Sequence, residues 1–278
     1  MATLVSFHAH PDDESIATGG TLAGASDAGH RVVLVFGTRG EEGEPVPGVL
    51  ADGEELWERR VVECRTSADV LGVERVEFLG YRDSGMMGEG TNDHPDCFWK
   101  ADLDEAAGRL AQILRDEAAD ILTVYDDHGN YGHPDHIQVH RVGVRAAELA
   151  GVERVFASTM NRDRMREMRS AMSPDEIAEA GLTEEFEEME AADQPDIDVE
   201  TFGEPEANIT HAVDVSAFID RKKGSMEAHA SQIADDSFFM KMPAEIFTLA
   251  FGTEWFIDLA NARPEGDPFH TDLFADLD

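Results

Sequence analysis

The chain has 278 residues, 42% of them hydrophobic, with 59 Asp and Glu against 22 Lys and Arg, a formal charge of -37 and only 2 cysteines. A polyanion of that charge gains no counterion release from nucleic acid, and apolar runs as short as residues 32–36 cannot span a bilayer. Two distant cysteines, Cys64 and Cys97, make neither a disulfide framework nor a thiolate zinc site. No secretory leader precedes the first apolar segment, so a soluble, cytoplasmic protein with a sizeable core is expected.

Apolar runs then alternate with helical patterns. Residues 4–9 read as a strand, 12–28 as a helix, 31–37 as a strand, 38–53 as a Gly/Pro-rich loop and 54–71 as a helix. A strand over 75–79 follows, then a helix over 101–117 with Leu103, Ala106, Ala107, Leu110 and Leu114 on one face. Residues 120–125 form a fourth strand, 135–149 a helix and 154–159 a fifth strand. Short strands alternating with long helices indicate parallel βαβ units, hence an α/β, Rossmann-like doubly wound sheet of order 3-2-1-4-5.

Beyond residue 160 the regularity fades. A helix over 162–171, an acidic and proline-punctuated stretch over 173–206, a strand over 209–215 and helices over 217–229 and 244–251 are expected. A last strand over 255–259 and a loose tail from Pro264 complete the chain. The reading is one domain, with a core over 1–160 and a smaller cap or edge addition over 161–278. Only four lysines occur, and no Lys or Arg lies between Ser170 and Asp220. That pattern describes a solvated anionic surface rather than a specific recruiting tail, so self-repulsion should ease as salt is added.

Two constellations carry chemistry. The first, His10-Pro11-Asp12-Asp13-Glu14, sits where strand one enters its helix, and proline suits that first turn. The second, Tyr131-Gly132-His133-Pro134-Asp135-His136, repeats the arrangement after strand four, and His133 and His136 are spaced to reach a common region. In a doubly wound sheet strands one and four are neighbours where the order reverses, and ligands bind beyond their carboxyl ends. His10, Asp13 and His136 can therefore converge on one metal. Two imidazoles and a carboxylate suit Zn2+ with an open position, and Fe2+ or another divalent ion equally in kind. Glu14 is read as a group orienting a neighbour, His140 as a packing or surface residue, and His229 as lining the pocket or capping a helix.

The motifs resemble those of the zinc-dependent N-acetylglucosaminyl deacetylase superfamily, the PIG-L or LmbE-like proteins, and within it the mycothiol branch. The resemblance rests on residues 9–15, Gly40-Glu41-Glu42-Gly43-Glu44, Arg60 with Glu63, Arg82-Asp83-Ser84-Gly85-Met86, residues 131–136 and Ala228-His229-Ala230-Ser231-Gln232. It implies His10, Asp13 and His136 as metal ligands, Asp12 as the base acting on a metal-activated water, and His133 as the group that stabilises the oxyanion or protonates the leaving amine. Tyr131 resembles a mobile tyrosine that bonds the acyl oxygen, and Arg60 and Asp83 match positions that grip sugar hydroxyls. The implied activity is deacetylation of a GlcNAc-inositol type small molecule.

Several alternatives accompany that reading. An amidase of mycothiol S-conjugates is the nearest, although such amidases carry a lysine where Ile16, Ala17 and Thr18 stand here. A deacetylase of another amino-sugar metabolite and a non-catalytic metal- or sugar-binding protein are the others. The expected partner is a small amino-sugar substrate, with no nucleic acid, no membrane and room for a homo-oligomer.

Overall fold

The computed structural model describes residues 1–171 and 202–277, so residues 173–201 of the acidic stretch expected over 173–206 lie outside the described residues. The first half follows the expected alternation: β1 (Thr3–His8), α1 (Asp13–Ala17), α2 (Gly19–Asp27), β2 (Arg31–Phe36), α3 (Leu56–Leu71), β3 (Arg75–Phe78) and α4 (Leu103–Asp116). Next come β4 (Ile121–Tyr125), the short turn α5 (Gly129–Gly132), α6 (Pro134–Ala150), β5 (Arg154–Thr159) and α7 (Arg162–Ala171). The second half contributes β6 (His211–Asp214), α8 (Ile219–Glu227), α9 (Phe238–Lys241), α10 (Ala244–Phe251) and β7 (Thr253–Asp258).

The described strands form one seven-stranded sheet of order β3-β2-β1-β4-β5-β7-β6. The first five are parallel, and β7 and β6 extend the β5 edge antiparallel. Alternation along β1 divides the core between the two faces. Val5 and Phe7 pack with Leu110 and Leu114 of α4 and Val139 and Val142 of α6, while Leu4 packs with Leu22 of α2 and Cys64, Ala68 and Leu71 of α3. Each fully buried side chain of this size contributes about 1.5–3 kcal/mol.

Local sequence explains the ends of the longer helices. Glu55 and Glu58 form a reciprocal capping box at the start of α3, and Gly72 closes it in the left-handed conformation. The Asp102 carboxylate accepts from Glu105 N at 3.0 Å to start α4.

Three expectations need correction. The helix expected over 12–28 is broken at Thr18, whose φ of -137 is not helical. The break exposes the amides of Gly20 and Thr21, and both donate to the Glu254 carboxylate at 2.8 Å, so a residue from β7 caps α2. The helix expected from residue 217 begins at Ile219, after a 3-10 turn over Ser216–Phe218. The tail is not loose: His270 N donates to Thr210 O, Ala212 N to His270 O, and Leu273 is buried against the α2 side of the sheet.

Candidate active site

β1 and β4 lie side by side, so the two His-Pro-Asp segments leave the sheet next to each other. The segment after β1 turns sharply at Asp12, whose φ of 117 is an unusual conformation for a residue with a side chain. Such geometry costs on the order of 1–3 kcal/mol and needs fastening. Glu14 supplies it: its Oε2 accepts from Asp12 N at 2.9 Å, while its Oε1 accepts from Ser67 Oγ at 2.5 Å and meets His229 Nε2 at 2.6 Å. His229 is therefore a fully buried partner of Glu14, neither a pocket wall nor a helix cap.

The second segment is set by its own helix start. His133 is the N-cap of α6, with Pro134 following, and its Nδ1 accepts from Asp135 N at 3.1 Å. That bond commits Nδ1 as the acceptor, so a neutral His133 carries its proton on Nε2. Asp135, fully buried, holds His10 Nε2 at 3.2 Å and receives both the amide and the hydroxyl of Ser84.

His10, Asp13 and His136 meet. His10 Nδ1 lies 3.4 Å from one Asp13 oxygen, and His136 Nε2 lies 3.4 Å from the other. The three can share an ion, their candidate ligand atoms lying within 4.8 Å of one another. His10 also belongs to a second such group, with Asp83 and His133. The first arrangement fits a metal better, because it leaves Nδ1 for the ion while Asp135 secures Nε2, the carboxylate-histidine support usual behind metal-bound imidazoles. The nitrogen that His136 turns to Asp13 is Nε2, and its other ring nitrogen, Nδ1, is buried without a hydrogen-bond partner in the protein.

The remaining expected residues surround this cluster. Asp12, Arg60, Asp83, Tyr131 and His133 line a cleft of about 310 Å³ with His10 and Asp13. Tyr131 Oη stands 3.4 Å from His136 Nε2. Arg60 lies almost wholly inside: it donates to Pro11 O at 2.5 Å and Gly40 O at 3.0 Å and pairs with Asp12 at 3.2 Å, leaving Nε without a partner. A Cβ on Gly40, whose φ is +72, would sit 2.2 Å from that guanidinium, which explains the first glycine of the Gly-Glu-Glu-Gly-Glu segment. Asp83 accepts from Gly85 N at 2.9 Å and Glu42 N at 3.2 Å and faces His10. Asp13, Tyr131 and His136 also wall a larger cavity of about 730 Å³, whose other side includes Met160, Phe251 and Trp255.

Electrostatics separate the two adjacent aspartates. Burial pushes Asp12 up to about 6, with Arg60 opposing and Asp13 adding to the rise. Asp13 is also buried, yet the charge of His136 and bonds from His10 and His136 hold it well below the usual carboxylate range. His133 is pushed down to about 2 by burial and then by His10 and His136. With Nδ1 engaged by the Asp135 amide, the neutral ring presents an Nε2–H. Burial, then Asp13, raises the Tyr131 phenol and keeps it a donor.

Sequence reading missed Asp135 and the Glu14–His229 pair. The Asp of the second His-Pro-Asp motif was itself the available signal for Asp135. No local signal exists for a contact between Glu14 and a residue more than two hundred positions away.

Residues 5–147 match the family model described as GlcNAc-PI de-N-acetylase, PIG-L. This chain belongs to that family. A relative from Acidothermus cellulolyticus, a 1D-myo-inositol 2-acetamido-2-deoxy-alpha-D-glucopyranoside deacetylase, is 43% identical over 100% of this chain and 96% of its own length. The solved N,N'-diacetylchitobiose deacetylase from Pyrococcus horikoshii has a TM-score of 0.58 at 20% identity, covering 95% of this chain and 88% of that one. GalB, a 4-carboxy-2-hydroxymuconate hydratase from Pseudomonas putida, reaches 0.60 at 16% identity, covering 96% and 100%. A hydratase and a deacetylase share this fold, so the fold alone does not carry the chemistry. No helix among the described residues is long and apolar enough to cross a membrane.

Proposed function

We propose that the chain is a metal-dependent N-deacetylase acting on the acetamide of an N-acetylglucosaminyl-inositol type amino sugar, with His10, Asp13 and His136 holding a divalent ion, Zn2+ in the first instance. The observation that carries the reading is the Asp13 carboxylate set between two imidazoles, 3.4 Å from each, with a second, separately held aspartate beside it. When bound, the ion supplies Lewis-acid polarisation and brings the pKa of water to about 7.

The chain's own residues supply the rest. Asp12 is fixed by Glu14 at its amide and by Arg60 at its carboxylate, so it can take a proton from the attacking water without serving as a ligand. His133 Nε2–H and the Tyr131 hydroxyl face the developing oxyanion, where one well-placed donor is worth roughly 10²–10³ in rate. As the C–N bond breaks, the proton held by Asp12 passes to the leaving amine, and the products are acetate and the free amino sugar. Arg60 and Asp83 border the cleft on the side assigned to the sugar. A relative 43% identical along the whole chain is named a deacetylase of a 2-acetamido-2-deoxyglucopyranoside of inositol, which supports this substrate class.

The test is acetate release from N-acetylglucosaminyl-inositol, with and without a chelator, beside free GlcNAc and a thiol conjugate. Chelator-sensitive release, strongest on the inositol glycoside, is expected. Binding of the glycoside with no acetate released would leave a non-catalytic binder, and faster cleavage of the thiol conjugate would make the chain an amidase.

A further inference from the structure

Beneath the site a chain of buried polar groups runs into the sheet, where a parallel strand would ordinarily carry only apolar side chains. On β1 the face that begins with Leu4 continues as Ser6 and His8, and neither residue is more than 1% exposed. Thr123 Oγ1 on β4 meets Ser6 Oγ at 2.6 Å, and Ser6 Oγ meets His8 Nε2 at 2.7 Å. Thr18 Oγ1, at the break between α1 and α2, stands 3.2 Å from the same nitrogen. The other nitrogen, His8 Nδ1, lies 2.7 Å from the Tyr125 hydroxyl at the end of β4.

Tyr125 is the point where this chain touches the site. Its ring stacks on His136 with centroids 4.6 Å apart and planes 24° from parallel. Its hydroxyl is held by His8 Nδ1, so the ring that stacks on His136 is anchored at its hydroxyl end. His140 adds a brace by bonding the Tyr125 carbonyl at 2.8 Å.

We propose that His8 and Tyr125, which lie outside both His-Pro-Asp motifs, are a positioning pair: His8 anchors the Tyr125 hydroxyl, and the Tyr125 ring in turn fixes the plane of the His136 ring for metal binding. The proposal rests on the reading of His10, Asp13 and His136 as ligands. Neither member touches substrate, and each acts through a ligand.

The experiment compares wild type, Tyr125→Phe, His8→Leu and the double variant by Zn2+ affinity in chelator competition, with the ligand-field spectrum of the Co2+ form as a second readout. Tyr125→Phe keeps the stacked ring and deletes one hydroxyl, so it remains informative even if His8→Leu does not fold. Loss of an outer partner commonly weakens metal binding 10–100-fold. A loss in that range is expected for Tyr125→Phe, with a shifted Co2+ spectrum, a smaller loss for His8→Leu, and a double variant no worse than Tyr125→Phe. His8→Gln should recover part of the His8→Leu loss. Zn2+ affinity within twofold of wild type and an unchanged Co2+ spectrum in Tyr125→Phe would overturn the proposal, even if its melting temperature falls. Failure of the wild-type protein to bind Zn2+ or Co2+ would instead remove the ligand assignment beneath it.

Discussion

The region up to residue 159 and the region from 202 onward differ in what they give the site. The first supplies every member of the cluster formed by His10, Asp13 and His136, together with Asp12, Tyr131 and His133. The second supplies fasteners. Glu254 caps α2, Lys222 donates to Ile16 O at 2.9 Å and pairs with Glu254 at 2.6 Å, and His229 holds Glu14. Ser231 bonds Glu63 through its amide and its hydroxyl. Reactive groups thus come from the ends of parallel strands, and the late chain holds the early helices against the sheet edge. Substitutions in the early group should change chemistry before stability, and those in the late group the reverse.

The largest effect is expected at His136. His136→Ala should lose the metal and with it all measurable deacetylation, as metal content after dialysis will tell. Asp12→Ala should keep the metal and lose roughly 10²–10⁴ in turnover. Equal metal loss in both variants would erase the distinction between ligand and base. On the other side of the comparison, Lys222→Met leaves the buried Glu254 without its counter-charge, which costs about 3–5 kcal/mol. Urea unfolding should show that loss, with part of it recovered in Lys222→Met/Glu254→Gln. A variant that unfolds like wild type would deny the late region its fastening role. The smallest effect is global: with a formal charge of -37, melting temperature should rise between low and moderate salt, and a flat or falling response would contradict the self-repulsion argument.

These differences also explain what the sequence disclosed. Strand and helix periods are local, so the order of β1 to β5 and the adjacency of the two motifs could be read from residue spacing alone. The cluster of His10, Asp13 and His136 followed from that adjacency. Contacts such as Gly20 with Glu254 or Glu14 with His229 join positions more than two hundred residues apart and leave no periodic trace. The same holds for the antiparallel edge, where β7 pairs with β5 out of chain order, and for the tail, where Leu273 and His270 are anchored by partners distant in the chain. His8 looked like an ordinary strand residue because its significance lies in what Tyr125 touches. His133 is set in a similar way: burial first, then the neighbouring imidazoles of His10 and His136, lower its pKa, and His10 lies more than a hundred residues away in the chain.

The most direct test is a crystal structure of the protein soaked in Zn2+, with anomalous maps recorded at the zinc edge. One peak at about 2.0–2.2 Å from His10 Nδ1, an Asp13 oxygen and a His136 nitrogen is the predicted result, with Asp12 close by but unbound. A peak held instead by Asp83 and His133, with Asp13 outside its reach, would contradict it.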